Sequence, residues 1–398
     1  MLTTAEAREA IMSSMPTFAI ESTALDRANG RILRQVVSAE RDQPPFDRVM
    51  MDGIAIAFAD YSSGLRQFKL QAMQAAGDAA LILSPGHCIE IMTGASLPEN
   101  ADCVIPIERV SIEHGKASVA DDYVPEPRQF IHERASDHVA GAELLAPGKV
   151  VSPLDIAIIV SCGLTEVSVT RLPVIRVIST GNELVPAGEP IAPHQIRLSN
   201  GPAIQAMLDA HGFSDCEHDH LVDDPVILRE RIAAHLEASD ALVLSGGVSM
   251  GKADYVPEVL AELGVNVVFH KVSQRPGKPL WFGVGPDDQA VFALPGNPVS
   301  ALVCCRQYVT PALQAASGLT PSLPEFASLA VDIRFEPDLT CFQPVRLLSG
   351  ASGQVLAMPV TTNTSGDFTA LSATDGYVEL PKGKSDFPAG TSVFAHRW

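Results

Sequence analysis

Basic residues are scarce in this 398-residue chain: 28 Lys and Arg stand against 47 Asp and Glu, a formal net charge of −19. That balance excludes sequence-independent binding to a nucleic-acid backbone, which needs a basic footprint. No run of 18 uncharged apolar residues occurs, so no membrane span is expected. The opening MLTTAEAREAIMSSM has neither a basic stretch nor an apolar core, so no secretory signal is read there. The seven cysteines (Cys88, Cys103, Cys162, Cys216, Cys304, Cys305, Cys341) contain no C-x-x-C pair. Their odd number and scatter point to reduced thiols in a cytoplasmic protein, not to a zinc site or a disulfide scaffold. No internal repeat is present.

What the chain does have is core-forming material, 46% hydrophobic against 19% charged, over a length that predicts roughly two to four domains. Thr3 and Glu6 form a capping-box pattern ahead of an amphipathic segment reaching about Met12. From Pro44 to about Glu133, short apolar runs alternate with Gly, Pro and acidic turns, the signature of a β-rich module. Ser152-Pro153 reads as N-cap and first residue of a helix over Leu154 to Val160, closed by Gly163. The next stretch alternates: strands at Val174–Ile178, Ala241–Leu244, Val265–Phe269 and Ala290–Leu294, and helices near Ala203–His211, Ile227–Leu236, Val256–Leu263 and Val299–Leu313. This order predicts a doubly wound parallel α/β sheet. After Gly318 short strands return, which predicts a small all-β terminal domain.

The α/β region carries the chemistry. SGGVSMGKAD, Ser245 to Asp254, follows a strand and nearly matches a P-loop, with Gly246, Gly251 and Lys252 in place but Ala253 where Ser or Thr should hold magnesium. Two further strands end in small-residue turns, Ser179-Thr180-Gly181-Asn182-Glu183 and Leu294-Pro295-Gly296-Asn297-Pro298. One such turn is an ordinary tight connection; three in one sheet point to a phosphate cradle outside the carboxyl ends of the strands. Glu183 and Asp254 suit Mg²⁺ beside phosphates. Asp223 and Asp224 precede Pro225, a pattern that serves helix capping as well as metal binding. The segment His270 to Pro279 holds Lys271, Arg275 and Lys278 around a Pro-Gly turn, an anion clamp in an otherwise acidic protein. Upstream, Asp52 in PPFDRVMMDG and Thr93 in IMTGA each read, taken alone, as turn signals.

PPFDRVMMDGIA, IMTGASLPENADCVI, STGNEL, SGGVSMGKADY, RPGKP and LPGNPVSAL occur in the order seen in the molybdopterin molybdenumtransferase (MoeA) family, which includes the E domain of gephyrin. The resemblance spans nearly the whole chain, with Ser365-Gly366-Asp367 similar to the family's terminal domain. It implies an enzyme of molybdenum cofactor biosynthesis that inserts molybdate into adenylylated molybdopterin and releases AMP, with Mg²⁺ as divalent ion. It implies a homodimer with the active site between subunits. The implied domains are a discontinuous mainly helical one (1–43 and 135–170), a β-rich one (44–134), the α/β one (171–318) and a terminal β-barrel (319–398).

By the same resemblance, Asp52, Thr93, Glu183, Asp254, Lys271, Arg275 and Lys278 are the catalytic set. Ser245, Gly246, Gly247, Ser249, Pro295, Gly296, Asn297, Pro298 and Asp137 contact substrate, and Glu183, Asp223 and Asp254 hold the metal. The chain departs from the family's pattern at Val49 and Ile54 beside Asp52, at Ser136 beside Asp137, and at Lys252, where an acid is usual. Gly251-Lys252 is therefore an accidental match to a P-loop, and Gly246-Gly247 with Asp254 are the working parts. The adenylyltransferase that makes the adenylylated pterin, and downstream cofactor-processing proteins, are the implied partners. Two rival readings are that adenylyltransferase itself, which would need an ATP site, and a gephyrin-type scaffold, which would need an exposed peptide groove.

Overall fold

The computed structural model describes residues 1–247, 255–351, 353–361, 364 and 366–398. They form two compact units, one of Met1–Arg34, Gly148–Val151 and Val167–Trp398, the other of Gln35–Pro147 and Ser152–Glu166.

The first unit centres on a six-stranded sheet: β1 (Ile175–Thr180), β2 (Cys216–Leu221), β3 (Ala241–Ser245), β4 (Asn266–His270), β5 (Trp281–Val284) and β6 (Ala290–Leu294), in spatial order β2-β1-β3-β6-β5-β4. β2, β1, β3 and β6 run parallel, and β5 is antiparallel to both of its neighbours. Successive residues of the central strands feed opposite cores. Val177, Val243 and Phe292 join one apolar cluster, and Ile178, Leu244 and Ala293 join the other. Burial on both faces is why β3 reads as an unbroken apolar run. Helices α1 (Asn200–Ala210), α2 (Pro225–Ala238) and α3 (Val256–Glu262) make the crossovers. The N-terminal helix Thr4–Ser14, closed by the expected Thr3–Glu6 capping box, buries Ala7 and Ile11 in the first of these cores.

The sequence misses two strands. β2 reads CEHDHL, a polar edge strand, and β5 is a four-residue return strand behind Pro279. The last helix also differs from a single run. Helix α4 (Pro298–Cys304) passes through a π turn at Cys305–Val309 into Thr310–Ala316. Pro311 supplies the reason, because it has no N–H to continue the i to i−4 ladder.

The terminal region, read from the residues as all-β and from the family resemblance as a barrel, is a closed five-stranded barrel. Its strands are β7 (Glu325–Leu329), β8 (Thr340–Ser349), β9 (Val355–Pro359), β10 (Gly376–Leu380) and β11 (Ser392–Arg397), and they close in the ring β8-β9-β7-β11-β10-β8. Gln274–Arg275 pairs in parallel with Thr340–Cys341, tying the Pro-Gly turn segment to the barrel.

The second unit holds a six-stranded sheet in which Gly53–Ile56 lies between Cys103–Pro106 and His87–Ile91. Gly53 is required here: a Cβ would fall 1.9 Å from the Ile105 carbonyl oxygen. Helix Pro153–Ser161 begins with the expected Pro after Ser152, which forms a capping box with Asp155.

Candidate functional site

From β1 the chain crosses to β2 on one side and then returns to β3 on the other, so the connections leaving the carboxyl ends of β1 and β3 run to opposite faces of the sheet. An open α/β sheet offers its ligand crevice at such a switch point. A cleft of about 550 Å³ opens there, walled by the three small-residue turns, with Ser179 to Glu183, Ser245 to Gly247 and Pro295 to Pro298 all represented.

The first two turns are built for close approach. Gly246 and Gly247 adopt φ +104° and +64°, and a Cβ on Gly246 would sit 2.5 Å from the Thr180 carbonyl oxygen. The left-handed conformation and the absence of side chains leave backbone groups facing the cleft. Gly181 makes room for an acid, because its Cβ would lie 2.7 Å from Glu183 Oε2. Ser245 is only 3% exposed, and its Oγ accepts from Asn200 Nδ2 at 3.0 Å. The same amide donates to the Gly296 carbonyl at 2.8 Å, so one side chain at the start of α1 clips the second turn to the third. Ser199 makes no side-chain cap on α1, whose first turn forms part of the wall.

Glu183 and Asp223 line this cleft together. Their neighbour Asp224 has the other job that the sequence left open: its carboxylate accepts from the N–H groups of Val226 and Ile227 at 2.9 and 3.0 Å, capping α2. The Asp223 N–H donates to Asn182 Oδ1 at 3.0 Å, joining the ends of β1 and β2. Two histidines of β2 add to that join. His218 Nε2 lies 3.0 Å from Ser179 Oγ, and His220 Nε2 lies 2.9 Å from the Gly181 carbonyl. Burial holds the His218 ring below its ordinary pKa. Arg197 is a further cleft cation, held by the Pro186 and Glu189 carbonyls.

The cationic turn is divided. Arg275 and Lys278 line a second cavity of about 710 Å³, which also takes in Gln343 of the barrel and nearby Arg334 and shares Pro279 and Asn297 with the first. Lys271, at φ +77°, lines neither of the two; its N–H donates to the Leu280 carbonyl. Beneath the turn, buried Gln274 donates to the Pro276 and Gly277 carbonyls at 3.1 and 3.3 Å and accepts from the Tyr308 hydroxyl.

The remaining expected residues lie in the second unit. Asp52 Oδ1 accepts from both the N–H and the O–H of Thr93, each at 2.7 Å, and these donors hold its carboxyl below the usual range. Asp137 Oδ1 lies 3.0 Å from His132 Nε2. Ser249 and Asp254 fall outside the described residues. Sequence reasoning missed Asn200, Arg197, His218, His220, His132 and Gln274. Gln274 lies uncharged within the cationic segment, the others sit in no motif, and the polar run within CEHDHL was the one available sign.

Three family profiles match: "MoeA N-terminal region (domain I and II)" over residues 2–163, "Probable molybdopterin binding domain" over 176–315, and "MoeA C-terminal region (domain IV)" over 327–398. A Synechocystis sp. protein named molybdopterin molybdenumtransferase is 40% identical over 401 residues, covering 100% of both chains. One of the same name from Bacillus subtilis is 31% identical over 385 residues, covering 94% of this chain and 88% of its own. Two crystal structures of the molybdopterin biosynthesis MoeA protein from Pyrococcus horikoshii align over 100% of this chain and 98% and 100% of theirs. Their TM-scores are 0.82 and 0.84, at 30% and 26% identity.

Proposed function

The chain belongs to the molybdopterin molybdenumtransferase (MoeA) family, and we infer that it is the transferase that inserts molybdate into adenylylated molybdopterin with release of AMP. One observation carries the reading: three glycine-bearing turns close on one cleft at the β1/β3 switch point, and Glu183 and Asp223 stand in it. Gly246 and Gly247, with the first turn of α1, are suited to hold the phosphates. Asn200 keeps the second and third turns at a fixed separation.

Chemically, an oxygen of water or molybdate attacks phosphorus, the bridging P–O bond of the phosphoanhydride breaks and AMP departs, while molybdenum exchanges oxygen, lost as water with the dithiol protons, for the two dithiolene sulfurs of the pterin. Arg275 and Lys278, in the adjoining cavity, attract molybdate and offset the charge that develops as AMP leaves. Lys271 adds a third positive charge to the same segment.

Two carboxylates in one cleft, beside a buried Thr180 hydroxyl with no partner among the described residues, make a hard-oxygen donor set of the kind Mg²⁺ takes. Glu183 and Asp223, together with Asp254, would hold the ion, and it would polarise the phosphoanhydride. We further propose a cytoplasmic homodimer in which a second copy of the chain contributes its Asp52, Thr93 and Asp137. Among the described residues no helix is long and apolar enough to cross a membrane. The test is AMP release from adenylylated molybdopterin and molybdate by Asp254→Ala. Undiminished release by a folded protein would sink the role given to the acids.

A further inference from the structure

Arg48 and His132 are direct cross-strand partners in the short antiparallel ladder Arg48–Val49 with Ile131–His132. Arg48 Nη2 lies 2.9 Å from His132 Nδ1, and His132 Nε2 lies 3.0 Å from Asp137 Oδ1. A guanidinium stays protonated and can only donate, so Nδ1 must carry the lone pair. The ring proton is then on Nε2, directed at the carboxylate. Arg48 thus selects the tautomer, and the tautomer gives Asp137 a donor.

We propose that His132 is a positioning residue, fixed by Arg48 as the neutral Nε2–H tautomer, that orients the Asp137 carboxylate toward substrate. The proposal rests on the reading that Asp137 contacts substrate. Asp137 is held at its other end as well, since its N–H donates to the Gln43 carbonyl at 2.9 Å. Its side chain is 45% exposed and that of His132 27%, so one carboxylate edge faces outward while the other meets the ring. The surrounding charges are engaged elsewhere. Asp47 pairs with Arg128 and accepts from the Arg134 N–H, Glu133 pairs with Arg128, and Arg134 pairs with Asp42, which His138 also influences. Among the described residues, Arg48 and Asp137 are the charged groups in hydrogen-bond contact with His132.

The first measurement is ¹⁵N NMR of the full chain labelled at histidine, at neutral pH. A bare Nδ1 and a protonated Nε2 at His132, becoming a tautomer mixture in Arg48→Met, is the expected result; a protonated Nδ1 in the unmodified chain overturns the proposal. The second is steady-state turnover of adenylylated molybdopterin. His132→Leu should raise KM roughly tenfold with little change in kcat, and His132→Gln, which keeps an N–H donor, should restore most of it. If His132→Leu does not fold, the Gln variant and the NMR result decide. Asp137→Asn separates the two levels. A raised KM there with none in His132→Leu sinks the positioning role alone, whereas an unchanged KM in Asp137→Asn sinks the substrate role of Asp137 and this proposal with it.

Discussion

In the α/β cleft, room is made by what is missing. Cβ atoms are excluded from Gly181, Gly246 and Gly247 by contacts of 2.7, 2.5 and 2.7 Å. In the β-rich unit, the two expected acids are instead held by side chains that donate to them, Thr93 to Asp52 and His132 to Asp137. The first arrangement fails when atoms are added, the second when donors are removed. The cleft is also anchored in a two-sided core, with every residue of β3 buried, so a clash there has nowhere to relax. Asp52 sits at the surface of its unit, where a lost bond is replaced by water.

The largest effect should therefore come from the smallest addition. Gly246→Ala forces a side chain into φ +104° and against the Thr180 carbonyl. We expect a loss of on the order of 3 kcal/mol in stability, read as a lower urea midpoint, with turnover abolished. A midpoint within experimental error of the unmodified chain would show that the turn yields easily, and the contrast between the two regions would collapse. Glu183→Gln, at the same turn but changing charge without volume, should leave the unfolding midpoint in place and lower AMP release by about a hundredfold. A fall in stability instead would mark Glu183 as a structural acid.

Between these sits Tyr308→Phe. It strips one donor from buried Gln274 beneath the Arg275 turn. A buried acceptor left unpaired costs about 1–2 kcal/mol, visible as a lower thermal midpoint. If the network positions the clamp, KM for molybdate should rise while KM for the pterin substrate holds. Equal changes in both would assign it to stability alone.

These particulars explain what could be read in advance. β3 is legible because a strand buried on both faces is a plain apolar run, whereas β2 has one strand neighbour and carries Glu217, His218, Asp219 and His220. Two of the three cleft turns are legible because Gly181, Gly246 and Gly247 mark positions that exclude Cβ, and the third because Pro295-Gly296-Asn297-Pro298 is a plain turn sequence. The Asn200 clip is not, since its partners lie 45 and 96 residues away. Asp223 and Asp224 could not be separated until α2 was seen to take one as its cap. The pairing of Asp52 with Thr93 spans 41 residues and was visible only as two isolated turn signals.

That pairing provides the mildest and most specific test. The Asp52 carboxyl is held below its ordinary pKa by two donors from Thr93, first the N–H and then the O–H. A depressed acid is stabilised by those bonds above its unfolded value and loses them as pH falls through the depressed one. Thr93→Val keeps the N–H and removes the O–H, so the carboxyl should titrate at a higher pH than in the unmodified chain, still below an unperturbed Asp. Carboxylate ¹³C shifts followed through acidification would measure it, and Thr93→Ser should return the titration to its starting point. Because Asp52 is solvent-exposed, global stability should hardly move. If catalysis needs Asp52 ionised, the acid limb of kcat/KM should move upward by the same displacement as the NMR titration. A titration that moves without the acid limb would leave Asp52 well held but outside the reaction, and one that does not move at all would show that the backbone N–H alone sets its charge.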